Sequence, residues 1–467
     1  MGLEVGVAAL TSIATLESVR NGAIPWSDGS RCARRCQKAV AAVARLSARL
    51  YTECMIDVDG SRQDEVRALA ELAFEEVGKA VTGVGTVHRA ISDRVFSGVQ
   101  LGVGPWAAPS RIIHNAIADG TYRSIAVACE VAAQVASRTV DGRGRVPSET
   151  RRGAIALGAL TGLIGDALAE QDSPLATPTS LRVDGRIQHA DKESLSKAYP
   201  HATPKLVFFT HGLMETEVAW GIGGRPTYGA RLSAELGFSE LQVRYNTGRH
   251  ISENGREFAA LIEDVVRNWP VPVEEIVLVG HSMGGLVARS ACHGASLVGA
   301  EWAGKVRHIV CLGSPHLGAP LARSVHTATA LLQLLPESRP IGRLLHRRSA
   351  GIRDLYAGSL VDEDWTGRDL DALRQAAIAE VPLLADAEHS FVSASITRDP
   401  EHLLGRYLGD GLVLHVSARG RDKLRDIGFR DDDGMHLGSA HHFTLLNNEA
   451  VYEWLATRLR EKSTPVG

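Results

Sequence analysis

Cysteine is scarce: Cys32, Cys36, Cys54, Cys129, Cys292 and Cys311 are six in 467 residues, and no two of them form a Cys-x-x-Cys pair. That excludes a disulfide framework and fits a reducing compartment. Cys32 and Cys36 could share a helix face, but no His or Cys cluster follows at zinc-finger spacing, so no metal is expected there. Excess charge of one sign is also lacking. Lys and Arg total 51 and Asp and Glu 54, for a net charge of −3. No chain-wide positive field exists to hold a phosphate backbone, and nucleic acid is not an expected partner. The opening MGLEVGVAALTSIATLES has Glu4 and no Lys or Arg ahead of its apolar run, whereas a secretory signal carries a positive n-region. Long apolar runs are missing too. Val95 to Ser110 is broken by Pro105 and Pro109, and Gly153 to Gly165 is flanked by Arg152 and Asp166, so neither reaches the roughly 18 to 20 residues that span a bilayer. No transmembrane helix is expected. The reading is a cytoplasmic protein, with peripheral membrane contact as the lesser alternative. Fixed-period repeats are absent, which removes solenoids and propellers.

What is present changes texture along the chain. From about Gln63 to Glu170, Val66, Leu69, Ala70, Ala73, Phe74, Val77 and Val81 recur at three- and four-residue steps, the stripe of a helix. Further helices are expected around Val87 to Phe96, Tyr122 to Ser137 and Ser148 to Ala169. QDSPLATPTSLRVDG then reads as a connector. Residues 1–190 are therefore taken as an N-terminal helical region and linker, its helices forming a module or cap that packs on the rest. Beyond Pro204, short apolar runs alternate with helical stretches, which is the pattern of a mostly parallel sheet flanked by helices. The runs are Leu206 to Thr210, Leu241 to Tyr245, Ile276 to Gly280, His308 to Leu312 and Phe391 to Thr397. Phe258, Leu261, Ile262, Val265, Val266 and Trp269 share one helix face, with Ser252 as the expected N-cap. Residues 191–467 form an α/β domain.

Its chemistry centres on EEIVLVGHSMGGLVARSACHGA, where Gly280-His281-Ser282-Met283-Gly284 follows an apolar run and enters a helix. Gly-x-Ser-x-Gly between strand and helix is a nucleophile elbow: glycines on both sides let the backbone double back and push the serine outward. A serine hydroxyl also needs a base held by a third group. Downstream, His441 and His442 precede an amphipathic segment carrying Val451, Trp454 and Leu455. Asp410 stands in a Gly-Asp-Gly turn, and Asp399 competes with it because it lies nearer the Phe391 to Thr397 strand. Oxyanion donors are expected from the backbone N–H of Met283 and, in VFFTHGLMETE, of Leu213, with Met214 as the alternative.

THGL, GHSMGGLVAR, LGSPHLGAPLAR, GDGLV and HHFTLLN occur in the order of the lipase and esterase branch of the α/β-hydrolase superfamily, which the chain resembles over about 240 residues. That branch includes bacterial lipases and GPI inositol-deacylase-like proteins. The resemblance implies the α/β-hydrolase fold, Asp410 as the acid and His442 as the base. The family usually has Asn where this chain has His441. It often holds a structural Ca²⁺, but no matching ligand pair is found, and Asp431-Asp432-Asp433-Gly434 reads as a solvated acidic loop. His316, in GSPHLGAP, is expected as a pocket-wall residue.

About 65 residues separate two expected strands between Ala322 and Glu388, long enough for a helical cap insertion spanning about 322–388. Leu331, Leu332, Leu334, Leu335, Leu344 and Leu345 give it apolar faces. Either a lid over Ser282 or ordinary packing accounts for them. The expected protein is a serine hydrolase that cleaves carboxylic esters with an apolar acyl group and needs no cofactor. Rival readings are an acyltransferase, thioesterase or polyester hydrolase with the same triad, and a non-catalytic membrane- or partner-binding protein on a hydrolase scaffold.

Overall fold

The computed structural model describes residues 146–319, 349–368 and 378–461. The helices expected between Gln63 and Ser137, Cys32 and Cys36, and the cap leucines Leu331 to Leu345 all lie outside these residues.

Among the described residues, eight strands form one sheet in the order β2-β1-β4-β3-β5-β6-β7-β8. They are β1 (Ser180–Val183), β2 (Arg186–Gln188), β3 (Lys205–Thr210), β4 (Ser239–Arg244), β5 (Glu275–His281), β6 (Val306–Leu312), β7 (Glu388–Ser395) and β8 (Gly434–Gly438). Pairings from β4 through β8 are parallel, while β1 runs antiparallel to both β2 and β4. The expected mostly parallel sheet is present, and all five expected strands are in it. Three strands were not expected. β1 and β2 lie within and just past the segment read as connector, where Asp184 and Gly185 have φ of 51° and 81° and close a tight hairpin. The sheet thus begins at Ser180, upstream of the division placed at residue 190. β8 starts at Gly434, directly after the acidic run.

Parallel strands are covered on both faces, so their side chains alternate between two apolar layers. Leu206, Phe208, Ile276 and Leu278 face one layer with helices α4 (Ile251–Asn268) and α5 (Met283–Val298). Val207, Phe209, Val277 and Val279 face the other, with α3 (Tyr228–Leu236) and α9 (Glu449–Glu461). The stripe on α4 buries Phe258, Ile262 and Val265 as expected. Its cap differs: the helix starts at Ile251 after His250, and Asp354 Oδ2 accepts from Ile251 N–H at 2.8 Å. Ser252 sits in the first turn, where its hydroxyl donates to Asp362 Oδ1 at 2.6 Å.

Helix α1 (Arg151–Glu170) carries the apolar run flanked by Arg152 and Asp166. The apolar run alone is too short to span a bilayer, but the whole helix is by length and composition long and apolar enough to cross a membrane, and 56% of its apolar stretch is buried inside the protein. The short helices are α2 (Lys192–Ala198), α6 (Ala350–Ala357), α7 (Leu403–Leu408) and α8 (His415–Ala418).

Candidate active site

β5 delivers Ser282 to the C-terminal edge of the sheet at φ 52° and ψ −119°, a conformation an L-residue holds only when its surroundings enforce it. Both motif glycines are sterically required. A Cβ on Gly280 would collide with the amide of Gly285, and one on Gly284 with the carbonyl oxygen of Thr210. Ser282 N–H donates to Leu312 O at 2.8 Å, tying the elbow to the end of β6.

His442 Nδ1–H donates to Asp410 Oδ2 at 2.7 Å, which leaves Nε2 as the acceptor nitrogen. Asp410 is held in its turn by accepting from Leu412 N and Val413 N at 2.9 and 2.8 Å, and the His442 amide donates to the Asp410 carbonyl at 3.0 Å. Both residues are 2% exposed. Burial works against charge on His442, but the Asp410 carboxylate, helped by Glu215, outweighs it and raises the imidazole above its ordinary value. The competitors are exposed and make neither bond. Asp399 is exposed and accepts from Glu401 N at 2.9 Å, and His441 is exposed at the entry to the turn His442–Leu446. Gly313, one residue past Leu312, lies against the imidazole: a Cβ there would be 3.1 Å from His442 Cε1. The elbow and the Asp410–His442 pair are thus joined through the end of β6.

After β3, the turn His211–Glu215 faces the elbow, and a Cβ on Gly212 would be 3.0 Å from Ser282 Cβ. His211 organises this turn. Its Nδ1–H donates to Gly212 O at 3.0 Å, its Nε2 accepts from Tyr245 N–H at 3.3 Å, and its ring stacks on Tyr245. Burial lowers its pKa to about 4, keeping it neutral. Met214 N–H donates to Thr247 Oγ1 at 3.3 Å, whereas Leu213 N–H has no partner among the described residues. Met283, the other expected donor, opens α5 and is fully buried.

Two site residues were missed by the sequence reading. Glu215 Oε2 accepts from Gly212 N at 2.7 Å and from His281 Nδ1 at 3.0 Å, so one carboxylate braces the turn against the residue before the nucleophile. Burial opposes its charge, yet His281 and the Gly212 amide hold its pKa below the ordinary value. No spacing rule singles out either residue. His316 is buried; Arg289 Nη1 donates to its Nδ1 at 3.2 Å, and its ring meets Phe429 edge-on. Burial first, then Arg289, holds it well below the usual histidine range.

The acidic run does not suit a cation. Asp431 accepts from Arg419 at 2.6 Å and Asp433 from Arg458 at 2.7 Å, and among the described residues no cluster of three His, Cys, Asp or Glu could hold a metal. The run is therefore partly neutralised by arginines rather than simply solvated.

A mostly parallel sheet in this strand order, flanked by helices on both faces, settles the architecture. The fold is that of the α/β-hydrolases. Residues 246–366 match the PGAP1-like alpha/beta domain, a segment that contains the elbow. Among solved structures, this chain is similar to the mature lipase BlEst2 of Bacillus licheniformis, with 17% identity over 56% of this chain and 94% of that one and a TM-score of 0.37. It is also similar to the Staphylococcus hyicus lipase (13% identity, 56% and 98% covered, TM-score 0.30) and to naproxen esterase from Bacillus subtilis (13%, 56% and 84%, 0.31). No curated protein matches it in sequence. The α/β-hydrolase fold and the PGAP1-like segment support hydrolase activity.

Proposed function

We propose that the protein is a serine hydrolase of carboxylic esters with an apolar acyl group, in which Ser282 is the nucleophile, His442 the base and Asp410 the acid that orients it. The observations that support this are the buried 2.7 Å bond from His442 Nδ1 to Asp410 Oδ2 and the strained backbone of Ser282 between strand and helix. In the reaction, Ser282 Oγ attacks the ester carbonyl and its proton passes to His442 Nε2. The resulting oxyanion is met by the backbone N–H groups of Leu213 and Met283, each worth about 2.7 to 4 kcal/mol of barrier in comparable sites. Collapse breaks the bond to the alcohol, which leaves with the proton from His442. Water, deprotonated by the same imidazole, then attacks the acyl-enzyme and frees the acid and Ser282.

Asp410 contributes by fixing the tautomer and by stabilising the imidazolium formed in each half-reaction. Turnover of a short p-nitrophenyl ester tests the assignment. Ser282→Ala is expected to lose about 10⁴-fold or more of kcat, and a variant that keeps the wild-type rate would refute the nucleophile.

A further inference from the structure

Helix α1 precedes the sheet and belongs to the region read from sequence as a helical module or cap that packs on the rest, and its glycine face is applied to the candidate oxyanion turn. At Gly162 a Cβ would collide with Met214 Cγ and lie 3.1 Å from both the backbone nitrogen and Cα of Met214. One turn earlier, a Cβ on Gly158 would stand 2.8 Å from the carbonyl oxygen of Glu215. One turn later, Asn246 Nδ2 donates to Gly165 O at 2.8 Å. The helix is itself anchored from the other side: Ser349 Oγ donates to Gly162 O at 2.6 Å, and Ala350 N–H to Asp166 Oδ2 at 2.9 Å.

Met214 is the residue that needs such support. It sits at φ 61°, a left-handed conformation unfavourable for a long side chain, and its only other backbone restraint among the described residues is the 3.3 Å bond to Thr247 Oγ1. The peptide before it carries the Leu213 carbonyl, and the Leu213 N–H belongs to the next peptide back. Moving Met214 therefore re-aims that donor.

We propose that Gly162 is a positioning residue of the active site: the bare face of α1 at this point holds the Met214 backbone, and through it the Leu213 N–H, in line with Ser282. The inference rests on the hydrolase reading for its kinetic part and on packing alone for its structural part. An oxyanion donor acts on the transition state more than on bound substrate, so misplacing it lowers kcat and leaves KM nearly unchanged. A side chain that merely loosened the fold would lower Tm without this split.

The full-length protein with Gly162→Ala tests it. Loss of one oxyanion donor costs about 10²- to 10³-fold in kcat, and a partial displacement is expected to cost roughly tenfold, with KM within about twofold of wild type. Met214→Ala added to Gly162→Ala removes the colliding Cγ and should recover part of kcat. Ile155→Ala, on the exposed side of the same helix, should change neither constant. If Gly162→Ala does not fold, Ser349→Ala cuts the tie to Gly162 O and should still lower kcat several-fold, and wild-type kcat in that variant would overturn the proposal. Amide hydrogen exchange over residues 212–216 reads the same packing without catalysis: it should quicken in Gly162→Ala while residues 275–281 of β5 stay protected. Unchanged exchange and unchanged kcat in a folded Gly162→Ala overturn the positioning role. Full turnover by Ser282→Ala would instead overturn the hydrolase reading, and the exchange result would still decide whether α1 holds the turn.

Discussion

His442 is under opposing demands: burial favours its neutral form, and the carboxylates of Asp410 and Glu215 favour the imidazolium. The carboxylates prevail, so the acid limb of kcat/KM against pH is expected above 6.5, the ordinary histidine value. Glu215→Gln keeps the size of the brace and removes its charge, so the limb should move to lower pH. A profile unchanged by that substitution would remove Glu215 from the electrostatics of the base. Much of the site was legible in single residues. Gly280 and Gly284 mark the elbow because no Cβ fits beside Gly285 N or Thr210 O, and the tight Gly-Asp-Gly turn is what lets Asp410 project inward. Glu215 was not legible, since its partner His281 lies 66 residues away and only folding joins them. His316 was expected as a pocket-wall residue from its motif, but its bond to Arg289 was not legible.

Among elements, the longer strands and helices follow from apolar periodicity, and the misses have local physical causes. The β1–β2 hairpin was masked by the Pro, Ser and Thr preceding it, although Asp184-Gly185 is a hairpin dipeptide. The start of α4 was misplaced because its cap is tertiary: Asp354 Oδ2, not a neighbouring side chain, satisfies Ile251 N–H. Beyond the edge of the parallel sheet, Arg244 at the end of β4 makes a buried two-bond pair with Glu217 and donates to Ser148 O at 2.7 Å, so it joins the sheet to the turn before α1. Removing one partner leaves an uncompensated charge in a dry site. Glu217→Ala should therefore cost about 3 to 5 kcal/mol in urea unfolding, and a loss under about 1 kcal/mol, the range of a surface pair, would contradict this account.

For the whole molecule, burial of neutral histidines sets the response to acid. His211 and His389 have pKa values lowered to about 4, chiefly by desolvation, against 6.5 when exposed. Between those values the unfolded chain binds more protons than the folded one, so stability falls as pH drops from about 6.5 towards about 4. His389→Phe should flatten that dependence by up to one proton, about 1.4 kcal/mol per pH unit; an unchanged slope would assign the effect to other groups. At this scale, the sequence indicates helices that pack on the rest of the chain but not where they do so: the apolar residues of α1 say nothing of its partner, and its glycines meet residues 214–216 and Asn246. Whether Ser282 is the nucleophile is decided by labelling the full-length protein with a fluorophosphonate, followed by peptide mass mapping. One adduct is expected, on Ser282, lost in Ser282→Ala, slowed strongly in His442→Ala and little affected in His441→Ala. Labelling elsewhere, or labelling of Ser282 indifferent to His442, would contradict that assignment.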